Sequence, residues 1–381
     1  MKKYKVAFAT GSRADYGIVR NYLTKLNADS EINFTVLVTG ALLSESFGSA
    51  VDIIEKDGFN IEFKDVIPQE MGSLHDTCHI MAQTLDDFSV FFSEHNYDLL
   101  IILGDRYEIF SVSVAAAMHR IPILHLHGGE LTAANYDEFI RHSITKMATW
   151  HITSTEEYRQ RVIQLGEQPE NVYYLGALGA ENCLHIDMRN VPAELHEIKD
   201  SFVVLFHPET LNEVSPLEQV NIVLKAVKPY TSHYEFVFIG SNADTHADQI
   251  TDRVKVFCEE NSNCRFYVNL HPDGYHHVVK NSIALIGNSS SGIIEVPSLG
   301  SYTINIGDRQ TGRVKSSSII DVRCNVEDID NAIQYAIYHK DDPITDTPYY
   351  RKDSAELYYK TTMSILHSIK KQYKIFYDIS R

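Results

Sequence analysis

Short apolar, β-branched runs punctuate the chain at intervals that leave room for a helix between them. In the first half they are Lys5–Thr10, Phe34–Thr39, Leu99–Leu103, Pro122–His127, His151–Ser154 and Val172–Leu175. In the second half they resume as Phe202–His207, Phe236–Ile239, Arg265–Val268, Ala284–Gly287 and Tyr302–Ile306. These runs lack the in/out alternation of a half-exposed strand, so they predict strands covered on both faces. Between them lie stretches of helical period. In SPLEQVNIVLKAVKPY, Leu217, Val220, Leu224 and Val227 fall on one face, with Pro216 near the start, where proline is tolerated.

Strand and helix alternating along both halves predict an α/β chain of two Rossmann-like, doubly wound domains. The expected bounds are 1–185 for the first and 200–353 for the second, with the polar Cys183–Asp200 stretch as linker. From Ser354 onward the pattern is helical with no strand after it, and residues 354–381 are expected to pack back on the first domain. There are no repeats and no low-complexity tract.

Length agrees with this division, since 381 residues exceed one ordinary core. The formal charge of −17 argues against non-specific binding to nucleic acid or anionic membrane. A small anion can still be held by locally clustered arginines and backbone N–H groups. The 5 cysteines are scattered with no CxxC pair, which favours reduced thiols over a disulfide frame or a zinc site. The apolar run in MKKYKVAFATGSRAD is too short for a signal peptide and reads as a strand. No stretch approaches the roughly 18–20 apolar residues of a membrane span. A soluble, cytoplasmic protein is expected.

In open α/β sheets ligands sit beyond the carboxyl ends of the strands, so the chemistry is sought there. After the first run, TGSRADYG offers a tight turn and a fixed charge, Arg13, beside a helix N-terminus, a candidate anion site. It is not the G-x-G-x-x-G dinucleotide fingerprint. After LLIIL, Asp105 and Arg106 leave the sheet together; a helix N-cap beside a surface arginine is the alternative reading. After PILHLH comes HGGELTAANYDEFIRHSITKM, where two glycines allow close backbone approach and Glu130 follows them. If a helix starts near Tyr136, Asp137 pairs with Arg141 and Glu138 with His142 at four-residue spacing. Three carboxylates, Asp105, Glu130 and Asp137, thus fall beyond strand ends of one sheet. Carboxylates brought together raise one another's pKa and can supply an acid and a base at neutral pH.

In the second half, His207 ends a strand ahead of Pro208, and GSNAD brings Asn242 after another. IGNSSSGIIEVPSLG runs a strand into Ser290 and Ser291 and then a helix carrying Glu295. Hydroxyls and N–H groups there suit phosphate, and the carboxylate suits ribose hydroxyls. GDRQTGR sends Arg309 and Arg313 out after YTINI. No metal constellation is expected: the 18 histidines are spread out, and His125 with His127, or His276 with His277, lack zinc-site spacing. Neither a P-loop nor a G-x-S-x-G elbow is present.

Taken together, GSRADYG, LGDRYEIF, HGGELTAANYDEFIRHSITKM, TSTEEY, FHPET, IGNSSSGIIEVPSLG and NIGDRQTGR resemble the hydrolysing UDP-N-acetylglucosamine 2-epimerases, and within them the branch of bacterial sialic acid synthesis. The similarity spans nearly the whole chain in one order. It implies a GT-B type fold with a nucleotide in the cleft between two Rossmann-like halves. It also implies conversion of UDP-GlcNAc and water to N-acetylmannosamine (ManNAc) and UDP, without NAD, metal or other cofactor. Asp105, Glu130 and Asp137 match acid/base carboxylates of the family, with Glu138 as the alternative match for Asp137. His207 matches a residue that helps UDP depart. Arg13, Arg106, Asn242, Ser290, Ser291, Glu295, Arg309 and Arg313 are the expected substrate- and UDP-binding positions. The expected assembly is a homo-oligomer, dimer or tetramer. Three other readings stay open: a non-hydrolysing epimerase, a hydrolysing epimerase for a diacetamido-trideoxyhexose nucleotide, and a GT-B glycosyltransferase.

Overall fold

The computed structural model describes residues 3–43, 51–66, 74–131, 137–207, 214–240, 247–268, 270–369 and 374–379, leaving aside the side chains at 13, 14, 41, 74 and 247–249. The chain divides into two compact units. One is Met1–Leu178 together with Arg351–Arg381, the other Gly179–Tyr350.

The first unit runs β1 (Tyr4–Thr10), α1 (Arg13–Ala28), β2 (Ile32–Val38), α2 (Val51–Lys56), β3 (Ile61–Lys64), α3 (Leu74–Glu94), β4 (Leu99–Leu103), α4 (Tyr107–Met118), β5 (Ile123–Leu126), α5 (Asp137–Met147), β6 (Trp150–Thr153), α6 (Glu156–Gln164) and β7 (Val172–Tyr174). Its seven strands are all parallel, in the order β3-β2-β1-β4-β5-β6-β7. Every residue of β4 is buried, because helices cover both faces of the sheet. The order reverses between β1 and β4, the place where an open α/β sheet parts its loops to admit a ligand.

The second unit follows with α7 (Leu178–Asn182), β8 (Ser201–Leu205), α8 (Pro216–Val227), β9 (Phe236–Ile239), α9 (Ala247–Glu260), β10 (Cys264–Tyr267), α10 (Pro272–Lys280), β11 (Ser282–Gly287), α11 (Ser290–Ile294), α12 (Val296–Leu299), β12 (Tyr302–Ile306), β13 (Ile319–Val322) and α13 (Val326–Tyr338). Its sheet, β10-β9-β8-β11-β12-β13, is also wholly parallel and reverses between β8 and β11. The last helix, α14 (Ser354–Ser368), belongs to the first unit. There Ala355, Tyr358, Ile365 and Leu366 join the core beneath α1, and the Tyr358 hydroxyl donates to the Gly176 carbonyl at 2.7 Å.

Each apolar run read from the sequence is a strand, with ends shifted by up to two residues. Two strands escaped that reading, β3 and β13, both at sheet edges and only half-buried. The Cys183–Asp200 stretch is not a linker. Val191, Leu195 and Ile198 are buried in the second unit's core, spaced along turns whose polar residues face outward. On α8 the buried face carries Val220, Val223, Leu224 and Val227, while Leu217 in the first turn is exposed. Ser215 caps that helix by accepting from the Glu218 amide, with Pro216 at the first helical position.

Candidate active site

In the first unit the polar residues gather at the carboxyl ends of β1, β4 and β5. Gly104 and Asp105 follow β4, and α4 starts only at Tyr107, so Asp105 is not that helix's cap. Its carboxylate instead turns to Arg141 of α5. Arg141 is 1% exposed and donates from both Nε (2.7 Å) and Nη2 to Asp105 Oδ2. From Nη1 it reaches Glu138 Oε2 at 2.8 Å and the Glu130 carbonyl oxygen at 2.6 Å. One buried guanidinium therefore ties the β4 end, the β5 loop and the first turn of α5 together. A planar fork with five donors suits this task, whereas a lysine ammonium lacks the fixed geometry. Arg141 pairs with Asp105 and, across three-residue spacing on one face of α5, with Glu138, and its charge also acts on Asp137.

Glu130 follows the glycines of the β5 loop and is 5% exposed. Its Oε1 accepts from the Ser154 hydroxyl at 2.9 Å and lies 3.5 Å from His127 Nδ1. The glycine before it has a steric reason. Gly129 has φ of +81°, and a Cβ there would sit 2.4 Å from the Tyr158 carbonyl oxygen. Asp137 opens α5. Burial foremost, then the nearby Asp105, pushes its carboxyl up to about 6, against the pull of Arg141 and Arg106.

Two acids that the sequence reading did not single out join this group. Glu108 is fully buried, accepts from Arg106 Nε at 2.5 Å, and packs so tightly against Gly11 and Gly40 that a Cβ on either would lie 2.8 Å from its Oε1. Asp15, in the first turn of α1, has its amide capped by the Ser12 hydroxyl at 3.1 Å. Burial drives the Asp15 carboxyl up to about 6, with Ser12 and Arg106 opposing and Glu108 and Asp105 adding to the rise. Arg106, expected at substrate, is thus paired with Glu108 and held above its ordinary value by Glu108 and Asp15, which outweigh its burial. Arg13 opens α1, and its side chain lies outside those described.

In the second unit the matching position is the β8/β11 reversal. Asn288, 1% exposed just after β11, accepts from the His207 amide through Oδ1 (2.8 Å) and donates from Nδ2 to the His207 carbonyl (2.7 Å). Its own carbonyl accepts from Gln310 Nε2 at 2.8 Å, which fastens the loop after β12 that carries Arg309 and Arg313. Asn288 is therefore the hub that brings His207 and this loop to one sheet edge. Burial, reinforced by the Arg309 charge, lowers His207 to about 4, so its ring is neutral at pH 7.

Ser290 and Ser291 form the first residues of α11, a helix of only five residues, behind the cap Ser289. The Ser291 hydroxyl is 2.6 Å from the Tyr275 hydroxyl and 3.0 Å from that of Ser289. Glu295 ends α11; its Oε2 is 3.1 Å from His276 Nε2, and a Cβ on Gly179 would meet its Oε1 at 2.9 Å. Asn242 lies outside the described residues. Among the described residues no group of three or more His, Cys, Asp or Glu side chains is placed to hold a metal ion, and no helix is long and apolar enough to cross a membrane.

The sequence offers Arg141 only as a helix partner of Asp137 and does not single out Asn288, yet both carry faint signals. Arg141 and Thr145 sit beside the buried Ile140 and Ile144 of α5, a polar pair inside an apolar stripe. Asn288 is an amide directly at a strand end on the sheet reversal.

The family model for UDP-N-acetylglucosamine 2-epimerase matches residues 24–361. The chain is 46% identical over 383 aligned positions to the polysialic acid biosynthesis protein P7 of Escherichia coli, covering 98% of this chain and 97% of that one. It is 34% identical to a hydrolysing GDP/UDP-N,N'-diacetylbacillosamine 2-epimerase of Campylobacter jejuni, over 88% of each chain. In fold it is similar to the UDP-GlcNAc 2-epimerase of Neisseria meningitidis bound to UDP-GlcNAc, with a TM-score of 0.76 at 17% identity, over 94% of this chain and 100% of the other.

Proposed function

The chain belongs to the UDP-N-acetylglucosamine 2-epimerase family, and from that premise we propose that it is a hydrolysing member, converting UDP-GlcNAc and water to ManNAc and UDP for sialic acid synthesis. The observation that carries the reading is the set of carboxylates around Arg141, with Asp105, Glu138 and the Glu130 backbone on one guanidinium and Asp137 beside them. A transferase needs a nucleotide grip but has no use for acids gathered around a sugar ring.

The proton at C2 of the sugar is weakly acidic and leaves only as the anomeric bond breaks. A carboxylate of the Asp105, Glu130 and Asp137 set takes that proton while the C1–O bond cleaves and its electron pair departs with UDP, leaving a glycal. Water then adds, its oxygen to C1 and a proton to C2 from the opposite face, giving the manno configuration. Asp137, at about 6, can hold or release a proton near neutral pH. The second unit's part is the nucleotide. Neutral His207 donates an N–H toward the leaving diphosphate, with Arg309 and Arg313 on the adjoining loop. Ser290, Ser291 and Glu295 serve UDP, as do Arg13, Arg106 and Asn242. A homo-oligomer in the cytoplasm remains part of the proposal.

The Campylobacter relative favours a second reading, in which the hexose carries two acetamido groups. Incubation with each nucleotide sugar, followed by product identification, decides between them. Free ManNAc with UDP supports the first reading, turnover of the diacetamido substrate alone the second. Formation of UDP-ManNAc would overturn the hydrolytic assignment.

A further inference from the structure

Far along the chain from the acids, residues 374–379 lie against the first unit. The Tyr377 amide donates to the Gly166 carbonyl at 2.8 Å, and the Phe376 ring packs on Gly166 with Lys146 Nζ 5.0 Å from its centre. Lys374 is exposed as a residue but turns its ammonium onto α5. Its ammonium donates to the carbonyl oxygens of Thr145 (3.0 Å) and Ala148 and pairs with Glu167 Oε2 at 2.6 Å. Thr145 and Ala148 stand at the C-terminal end of α5, where helix carbonyls lack intrahelical partners and the helix dipole is negative. Lys374 therefore caps the helix that presents Asp137, Glu138 and Arg141.

A second connection runs from the same point into the sheet. The Thr145 hydroxyl is 3.2 Å from His125 Nδ1, and His125 Nε2 is 2.9 Å from the Gly104 carbonyl oxygen. A carbonyl can only accept, so Nε2 carries the ring proton and Nδ1 is left as an acceptor facing the Thr145 hydroxyl, whose one proton is shared with the Arg141 carbonyl oxygen at 3.0 Å. Gly104 immediately precedes Asp105. Lys374 thus touches both supports of the Asp105–Arg141 pair: the helix holding one partner, and the Thr145–His125–Gly104 chain leading to the other.

We propose that Lys374 is a positioning residue for the carboxylate cluster, acting through the end of α5 and the Thr145–His125–Gly104 hydrogen bonds to set the geometry of Asp105 and Arg141. It does not touch the reacting atoms, and the inference rests on the epimerase reading above. Because misplacing a reacting group by about 1 Å can cost up to two orders of magnitude in rate, an effect at this distance is expected in kcat rather than in nucleotide binding.

The test compares Lys374→Met and Lys374→Arg with the unaltered full-length protein, measuring kcat and KM for UDP-GlcNAc, UDP affinity and folded fraction. Lys374→Met is expected to lower kcat about 10-fold, leaving KM and UDP affinity within about twofold, and Lys374→Arg to recover most of the loss. An unchanged kcat in folded Lys374→Met, or losses of kcat and UDP affinity that merely follow the folded fraction with no recovery in Lys374→Arg, would overturn the proposal. Should Lys374→Met fail to fold, Phe376→Ala loosens the segment while keeping the ammonium; a lower kcat supports the proposal and an unchanged one sinks it. If the unaltered protein forms no ManNAc, the functional reading fails and not this one. The ring 15N signals of His125 then serve instead: a shift in Lys374→Met supports the connection, and identical signals refute it.

Discussion

Arg141 and Asp105 form the central ion pair of the first unit, with two guanidinium nitrogens converging on one carboxylate oxygen. The arginine is buried and the aspartate is a quarter exposed. Asp105 is therefore held rigidly by one oxygen while the carboxylate as a whole remains reachable. Asp105→Asn keeps the shape and removes the charge. It is expected to lower ManNAc release by about 10²–10⁴-fold while the UDP dissociation constant, measured by calorimetry, stays within about threefold of the unaltered protein's (a half-log allowance, about 0.7 kcal/mol). Near-normal turnover would remove Asp105 from the chemistry.

Under the proposed mechanism Asp137 is expected to trade stability for activity. Its carboxyl is raised from 3.8 to about 6 in the folded protein, chiefly by burial. The folded state thus binds a proton more readily than the unfolded one, so this residue adds stability as pH falls from about 6 towards 4 and costs stability above that window. Asp137→Asn is expected to melt higher than the native protein at pH 7.5, with the difference closing near pH 4, and to lose about 10²-fold in kcat. Melting curves at the two pH values and one turnover assay check both halves.

In the proposed reaction His207 is a neutral donor. Burial and Arg309 place its value near 4, well below the working range. His207→Ala is expected to lower kcat by about 10²–10³-fold, and the ratio of native to variant kcat should be flat from pH 6 to 8. A ratio that bends near 6.5 would show that the ring titrates there.

Asn288 should resist even an isosteric change. Asn288→Asp puts an oxygen where Nδ2 now donates to the His207 carbonyl. Leaving that buried contact unpaired costs about 1–3 kcal/mol. Urea unfolding should show this loss together with a lower kcat, whereas unaltered stability would mean that the hub is dispensable.

Glu167 makes an acid-sensitive joint. Burial alone would raise its carboxyl, but the His151 N–H, Lys146 and Lys374 outweigh it and bring it to about 2. That stabilisation is complete above about 4.5 and is lost as pH falls from there through 2. Glu167→Gln is expected to destabilise the first unit by about 1–3 kcal/mol at pH 7, since the lysines it leaves behind are partly solvated, and to flatten the dependence of unfolding on pH below 4.5. Equal acid sensitivity in the variant would contradict the pairing.

The two-sheet architecture was legible because a strand buried on both faces must be apolar throughout, and LLIIL or YTINI can be little else. The edges were not. In IEFK the polar and apolar positions alternate, and its one-sided pairing leaves no continuous run to detect. The candidate site was half legible for a related reason. Strand ends nominate residues one at a time, so Asp105, Glu130 and His207 stand out by position. The partners that orient them, Arg141 and Asn288, act through distances that depend on how α5 and β11 pack. Asp15 and Glu108 look like ordinary first-turn helix acids until burial is known. The Cys183–Asp200 segment misled because its buried residues, Val191, Leu195 and Ile198, are too widely spaced among polar ones to resemble a core.

The first unit closes only with α14, whose Tyr358, Ile365 and Leu366 fill the core beneath α1 and whose Thr362 meets the Tyr22 hydroxyl at 2.7 Å. During synthesis, which proceeds from the N-terminus, every residue of the second unit is made before this last piece exists. The newborn first unit must therefore wait with an open apolar groove while its neighbour completes itself. The acid-bearing half therefore completes its core only after its neighbour has been made, and agents that shield apolar surface during translation should matter most in that interval.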